Sequence, residues 1–474
     1  MKKRIVLAFC LLLILPCLLL LASCDDENGA ETTEDANGTT GAQTSAIADT
    51  TRNYVVTFVV KGTAYKVNAE LGEIPVCPVD PLTAEDIANK FYGWDKEIVA
   101  VTENTTYTAW FGSAATITPA KDGAKAALTM TYDDGDYDTA VWVNQMNKKY
   151  GLRGSCMIIA GREKFTSKVN QWRTLLADGT LDIQCHSMNH ANDTTSYGTH
   201  ADHVEDVVNS KKKLEGYFPN NDVLVYATPY TKITDYSYKV SGDSSSQKIY
   251  DGGTKALIHE NYFANRNGPS GLQSLDPTLG DDQGSWYNPY VQWFYTNTSQ
   301  TSAQRLGWID DAVKKGGWLI ILAHQIVDSA DPNNSGDLYK LSKSNAEAFF
   351  KHASPYIQSG ELWAATFGEA TKYIRERQNT TAFRRMDNGV LYVGLKIDRT
   401  TADGHYMDED VFNYPLTVKS RVPSAWKSVS YKLNGKTVTA DVFTDPADNQ
   451  KYVLVNVVPG ADGYVNVVAV NRVE

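Results

Sequence analysis

Three polar clusters in this chain each close an apolar, strand-like run. Thr131-Tyr132-Asp133-Asp134-Gly135 ends the run from Ala126, Cys185-His186-Ser187-Met188-Asn189-His190 follows Leu181 to Gln184, and Leu322-Ala323-His324 closes the run from Trp318. Adjacent carboxylates on extended backbone point to opposite sides unless one turns with the loop. Asp133 and Asp134 are therefore suited to different tasks, one as a metal ligand and the other as a base. Two histidines four apart can meet one metal if their loop is helical. Two imidazoles and one carboxylate make a catalytic metal set, with positions left for water and substrate. His324 then stands apart as an acid at the same rim. Each cluster alone is commonplace: Asp-Asp-Gly is a frequent turn, and His-x-x-x-His arises by chance. The chain has only eight histidines, however, and three of them fall just past strand ends, in order behind a carboxylate pair.

The elements that must position these residues lie between about 121 and 378, where apolar runs alternate with helical stretches. Strands are expected at Ala126 to Tyr132, Gly154 to Ala160, Leu181 to Cys185, Val223 to Tyr226 and Trp318 to Leu322. Helices are expected at Thr139 to Tyr150, Val169 to Asp178, His203 to Tyr217, Ser302 to Lys315, Asn345 to Gln358 and Gly368 to Arg377. Alternating α/β units with buried strands imply a parallel sheet, open or closed into a barrel. Chemistry in such folds gathers at the C-terminal strand ends, where all three clusters sit.

In this order, Thr-Tyr-Asp-Asp-Gly, His-Ser-x-x-His and Leu-x-His resemble the motifs of the polysaccharide deacetylase family of carbohydrate esterases. The resemblance spans roughly 250 residues and implies a distorted (β/α) barrel of seven or eight strands with a divalent metal, often zinc. It makes Asp133 the base, Asp134, His186 and His190 the metal ligands, and His324 the acid. It also assigns the oxyanion to the backbone N–H of Tyr230, the residue after Pro229. One departure stands out. The family carries an Arg shortly before that Pro, where this chain has Ala227 and Thr228. Without a guanidinium beside it, Asp133 is expected to protonate at higher pH than in a relative that has one, unless Arg153, Arg162 or Arg266 fills the role. The family's Asp and Trp motif has its nearest counterpart in Asp281 to Trp286. The aromatic run Trp286, Tyr287, Tyr290, Trp293, Phe294 and Tyr295 reads as core rather than as sugar-stacking surface.

Two β-rich blocks flank the barrel. Residues 53–112 combine a hairpin around Lys61-Gly62, a short helix after Thr83, a Gly93-Trp94-Asp95 centre and a closing Thr105-to-Phe111 strand. This pattern resembles the Listeria–Bacteroides repeat, a β-grasp-like module of bacterial surface proteins, and implies a spacer or adhesion role. Residues 385–474 show period-two strands and an Asn434-Gly435 turn, and read as a β-sandwich. The ligand set lies wholly between Asp133 and His324, so both flanks are expected to be dispensable for cleaving a small substrate.

The N-terminus reads as an address. Lys2, Lys3 and Arg4 precede an apolar run from Ile5 to Leu21 and then Leu21-Ala22-Ser23-Cys24, which resembles a bacterial lipoprotein signal with Cys24 as the lipidated residue. Residues 25–52, acidic and rich in Thr, Ala, Gly and Asn, read as a disordered tether. Cys156 and Cys185 lie in apolar runs and are expected as buried thiols. Apolar residues make up 42% of the chain and charged ones 21%, an ordinary globular mixture, and the net charge of −11 argues against nucleic acid as a partner. The expected protein is a lipid-anchored deacetylase on the outer face of a bacterial membrane, acting on an acetylated polysaccharide. The competing expectation is a non-catalytic glycan-binding or adhesion lipoprotein. Retention of Asp133, which a binder does not need, favours the enzyme.

Overall fold

The computed structural model describes residues 53–473 except 192–199, 232–236, 240–246, 250–252, 297–299 and 332. The signal and tether expected over residues 1–52 lie outside the described residues. Among the described residues no helix is long and apolar enough to cross a membrane.

The central element is a nine-stranded sheet. Ala126–Tyr132 and Gly317–Ala323 lie side by side at its middle and are buried at every residue, as expected of parallel strands covered on both faces. On one side follow Gly154–Ile158, Leu181–Cys185, Val225–Ala227 and Ala264–Arg266 in chain order, all parallel. On the other side, Gln292–Trp293 runs parallel to Gly317–Ala323 and Gln273–Ser274 antiparallel to it. Leu362–Ala364 pairs with the first half of Ala126–Tyr132. The result is a curled, mostly parallel sheet whose main strands are joined through helices.

Local chemistry sets the helix bounds. Thr301 and Gln304 form a reciprocal capping box on Ser302–Lys315, and left-handed Gly316 closes it. Asp136 caps Tyr137–Tyr150 by accepting from Thr139 N–H. The sheet packs on a continuous core in which Trp318 touches Trp286 and Phe367 and donates its indole N–H to Thr129 Oγ1 at 3.0 Å. Cys156 and Cys185 are buried free thiols, as expected.

The flanking blocks are tied together by one long strand, Thr105–Ile117. Its first half pairs with Asn53–Val60 and Lys90–Trp94, and its second half with Thr380–Asp387 and Leu416–Arg421. All lie in a single twelve-stranded sheet. Residue 112, taken above as the end of the first block, therefore lies inside a strand, and so does residue 385. The short helix expected after Thr83 is instead a single 3-10 turn, Pro81–Ala84, because Asp80 caps it and Pro81 opens it three residues earlier. The Asn434-Gly435 turn joins Ser428–Leu433 to Lys436–Asp441, and both turn residues are left-handed.

Candidate active site

The three clusters converge at the C-terminal ends of the parallel strands, around a cavity of about 500 Å³. Asp133 ends the first strand, its N–H bonded to Ala323 O at 2.9 Å. Asp134 and Gly135 both have positive φ (71° and 68°), so the chain turns at once and the two carboxylates part. A side chain at Gly135 would press on Ile158 at 3.0 Å.

His186 leaves its strand with Nδ1 bonded to Ala227 O at 2.7 Å, which turns Nε2 into the cavity. His190 returns to the same point by a route other than the expected helix. Ser187 and His190 are left-handed, and His190 N–H donates to Ser187 Oγ at 2.7 Å. The neighbouring helix holds this loop. It carries a π-helical turn, Glu205–Asn209, in which buried Asp206 accepts from Met188 N–H through its carbonyl (3.0 Å) and from Asn189 N–H through Oδ1 (2.7 Å). Of the ten non-glycine residues with positive φ among those described, Asp134, Ser187, His190, Tyr230 and Thr231 sit at this rim, a concentration of backbone strain typical of functional sites.

The ligand atoms of Asp134, His186 and His190 all lie within 4.8 Å of one another. Asp134 Oδ1 is 3.5 Å from His190 Nε2 and 3.9 Å from His186 Nε2. Burial pushes the His186 imidazole down to about 4 against the pull of Asp133, so at neutral pH it is uncharged with a lone pair to give. Burial likewise lowers His190, against the pull of Asp134. His186 Nε2 and Asp134 Oδ1 are buried without a hydrogen-bond partner. Two neutral imidazoles and a carboxylate with orphaned acceptor atoms are the donor set of a divalent cation, and these residues fit one.

Asp133 does have a guanidinium. Arg266, fully buried, places NH2 2.6 Å from Asp133 Oδ2. Burial opposes the charge on Asp133, but Arg266 prevails and holds the carboxyl below its ordinary range. This overturns the expectation of a raised base. Arg266 ends Ala264–Arg266, and its register partner on the next strand is Ala227. The guanidinium thus comes from one strand over, beside the position where the family's Arg would stand. Arg153 instead pairs with Glu369, and Arg162 reaches Asp134 at 3.9 Å. Of the three candidates named from the sequence, Arg266 therefore fills the role.

The other carboxylate oxygen of Asp133, Oδ1, is buried and unpartnered. His324 Nε2 lies 4.0 Å from Oδ2 on the far flank. Tyr230 lines the cavity from the turn after Pro229 with φ 56°. The aromatic run divides: Trp286, Tyr287 and Phe294 are core, as expected, whereas Trp293 and Tyr295 line the cavity. Trp293 pairs in register with Leu322, giving the cavity one apolar wall. A larger cavity of about 650 Å³ is lined by Leu181, Asp182 and Gly368 among others, and four of its charged groups pair off, Arg153 with Glu369 at 2.7 Å and Lys372 with Asp222 at 2.5 Å.

Among curated proteins, a gellan lyase of a Bacillus species is 23% identical over 352 residues, which cover 71% of this chain and 12% of that protein. The chain thus spans a small part of that relative's length. Among solved structures, a family 4 carbohydrate esterase from Streptomyces lividans in complex with acetate is 13% identical, covering 51% of this chain and 93% of that one with a TM-score of 0.29. The chitin deacetylase of the fungal pathogen Colletotrichum lindemuthianum is 14% identical, covering 54% and 89%, with a TM-score of 0.32. Residues 120–244 match the polysaccharide deacetylase family model. That stretch holds Asp133, Asp134, His186 and His190, while Arg266 and His324 lie beyond it.

Proposed function

We propose that this protein is a metal-dependent deacetylase that hydrolyses acetyl groups from an extracellular polysaccharide. The observation that carries this reading is the meeting, in one cavity, of a convergent Asp134–His186–His190 set with a separate carboxylate, Asp133, held charged by Arg266. A divalent cation on the three ligands, zinc in this reading, would polarise the acetyl carbonyl and acidify water. Asp133 Oδ1, buried and free of other bonds, takes the proton of the attacking water. Arg266 fixes the other oxygen and keeps the base ionised. The N–H of Tyr230 donates to the developing oxyanion. His324, on the opposite flank, protonates the departing amine or alcohol. Trp293 and Leu322 offer an apolar wall for the acetyl methyl. The arrangement suits N-acetyl and O-acetyl groups alike.

The rest of the reading comes from the sequence. The basic start, the apolar run and Leu21-Ala22-Ser23-Cys24 support lipid anchoring at Cys24 on the outer face of a bacterial membrane. Residues 53–112 would serve as a surface-repeat spacer. The non-catalytic reading rested on a missing Arg, and Arg266 supplies that group. The test is acetate release from a panel of N- and O-acetylated glycans. Release that a chelator stops and added zinc restores is expected. No release from any member of the panel contradicts the reading.

A further inference from the structure

The loop from His186 to His190 carries two of the three ligands, and both its ends are tied to one place on the helix that follows. That place is the π-helical turn Glu205–Asn209, which leads straight into Ser210–Tyr217. A π turn is wound wider than an α-helix, so polar groups there can leave the helical ladder and serve neighbours. Here they do. Asp206 O accepts from Met188 N–H at 3.0 Å and from Ser210 Oγ at 2.7 Å, and Val207 O accepts from the Tyr262 hydroxyl at 2.7 Å. Ser210 Oγ also lies 3.1 Å from Sγ of Cys185, the residue before His186. Asp206 Oδ1 accepts from the N–H of Asn189, the residue before His190, at 2.7 Å.

Asp206 is fully buried, and it acts where the chain is least able to hold itself. Ser187 and His190 both have positive φ (68° and 56°), and left-handed backbone at non-glycine residues persists only where the surroundings fix it. Met188 and Asn189 stand between these two residues. Asp206 takes both of their N–H groups, one with its carbonyl and one with its carboxylate. The His186 ring is turned by Ala227 O. His190 is aimed by the backbone that carries it, and that backbone rests on Asp206. Ligands whose support is lost bind a metal more weakly, because the site must then be ordered at the moment of binding.

We propose that Asp206, on its π turn, is a positioning residue for the metal. It fixes the backbone between the two histidine ligands, and through it the affinity of the site for a divalent cation. The carboxylate works as a hydrogen-bond acceptor for the loop, so an uncharged oxygen in the same place serves nearly as well. This rests on the metal-dependent reading above and adds to it a residue that the ligand motifs do not contain.

The test measures zinc binding by the full-length protein, stripped of metal, in competition with a chromophoric chelator. The visible spectrum of the cobalt-loaded protein reports ligand geometry beside it. Asp206→Ala should weaken zinc binding by about 10–100-fold, the usual effect of losing a support behind a ligand, and should change the cobalt bands. Asp206→Asn keeps an oxygen for the Asn189 N–H and should stay within about threefold of the wild type. An alanine variant that melts at lower temperature yet binds zinc as tightly, with the wild-type cobalt spectrum, overturns the proposal in favour of a purely structural role. An asparagine variant as weak as the alanine one overturns it too, because the charge rather than the acceptor would then matter. If Asp206→Ala does not fold, Asp206→Ser, whose hydroxyl stops short of that N–H, carries the same comparison with the same outcomes. A wild type that binds neither zinc nor cobalt removes the metal-dependent reading itself, and the role of Asp206 with it.

Discussion

At the scale of residues, the site separates two jobs that look alike in sequence. Asp133 and Asp134 are neighbours, yet the left-handed turn at Asp134 sends one to Arg266 and the other to His186 and His190. Five of the six residues singled out from the sequence bring their side chains to the carboxylates, and Tyr230 lines the same cavity. Of the three arginines the sequence offered for the missing guanidinium, Arg266 is the one at Asp133. Its side chain touches Asp133, so it acts as a positioning residue. Arg266→Gln should lower kcat by about 10–100-fold, the usual cost of losing such a support, with metal content unchanged. Steady-state kinetics beside metal analysis checks this. A variant that loses its metal would show that Arg266 shapes the ligand set instead. The sequence left the choice among Arg153, Arg162 and Arg266 open because the deciding contact joins positions 133 residues apart.

At the scale of elements, helices with strong end signals were legible, and short strands were not. Ser302–Lys315 forms with the expected bounds because Thr301, Gln304 and Gly316 fix both ends locally. Ala264–Arg266 and Leu362–Ala364 have three residues each, too few for a period to show, and they are strands only because a neighbour supplies the ladder. The helix Phe367–Gln378 carries a further consequence. Its Glu376 is fully buried, one oxygen accepting from Tyr414 N–H and the other unpartnered, and burial pushes its carboxyl up to about 8. The folded value lies above the unfolded one, so the folded state binds the proton more tightly. The stability this contributes is complete below the unfolded value and is lost as pH rises through the folded one. Denaturant midpoints measured from pH 5 to pH 9 should therefore fall more steeply for the wild type than for Glu376→Gln, which carries no proton to lose. Parallel curves would show that Glu376 is already ionised in the fold.

At the scale of the molecule, the flanking blocks are less separable than the ligand positions imply. Residues 51–474 form one compact unit. Arg375 on the barrel's last helix is buried against Asp403, 2.9 Å away. Tyr373 bonds Thr118, and Tyr414 packs on Trp363. Removing residues 385–474 takes Tyr414 away from Trp363 and leaves Arg375 without its carboxylate, a loss of about 3–5 kcal/mol for that pair alone. The truncated protein should be insoluble or unfolded by circular dichroism, contrary to the independence expected from the sequence. A soluble, folded truncation that still releases acetate would restore that independence. Patterning along one chain reads each block's own strands, but a strand that serves two blocks, such as Thr105–Ile117, shows only in three dimensions. The division of labour between the two carboxylates is tested most directly on the full protein, by measuring metal content and acetate release together in Asp133→Asn and His186→Ala. Asp133→Asn should keep one equivalent of metal and lose turnover by about 10²–10⁴, and His186→Ala should lose the metal itself. Equal loss of metal from both variants would contradict the assignment of Asp133 as base and Asp134 as ligand.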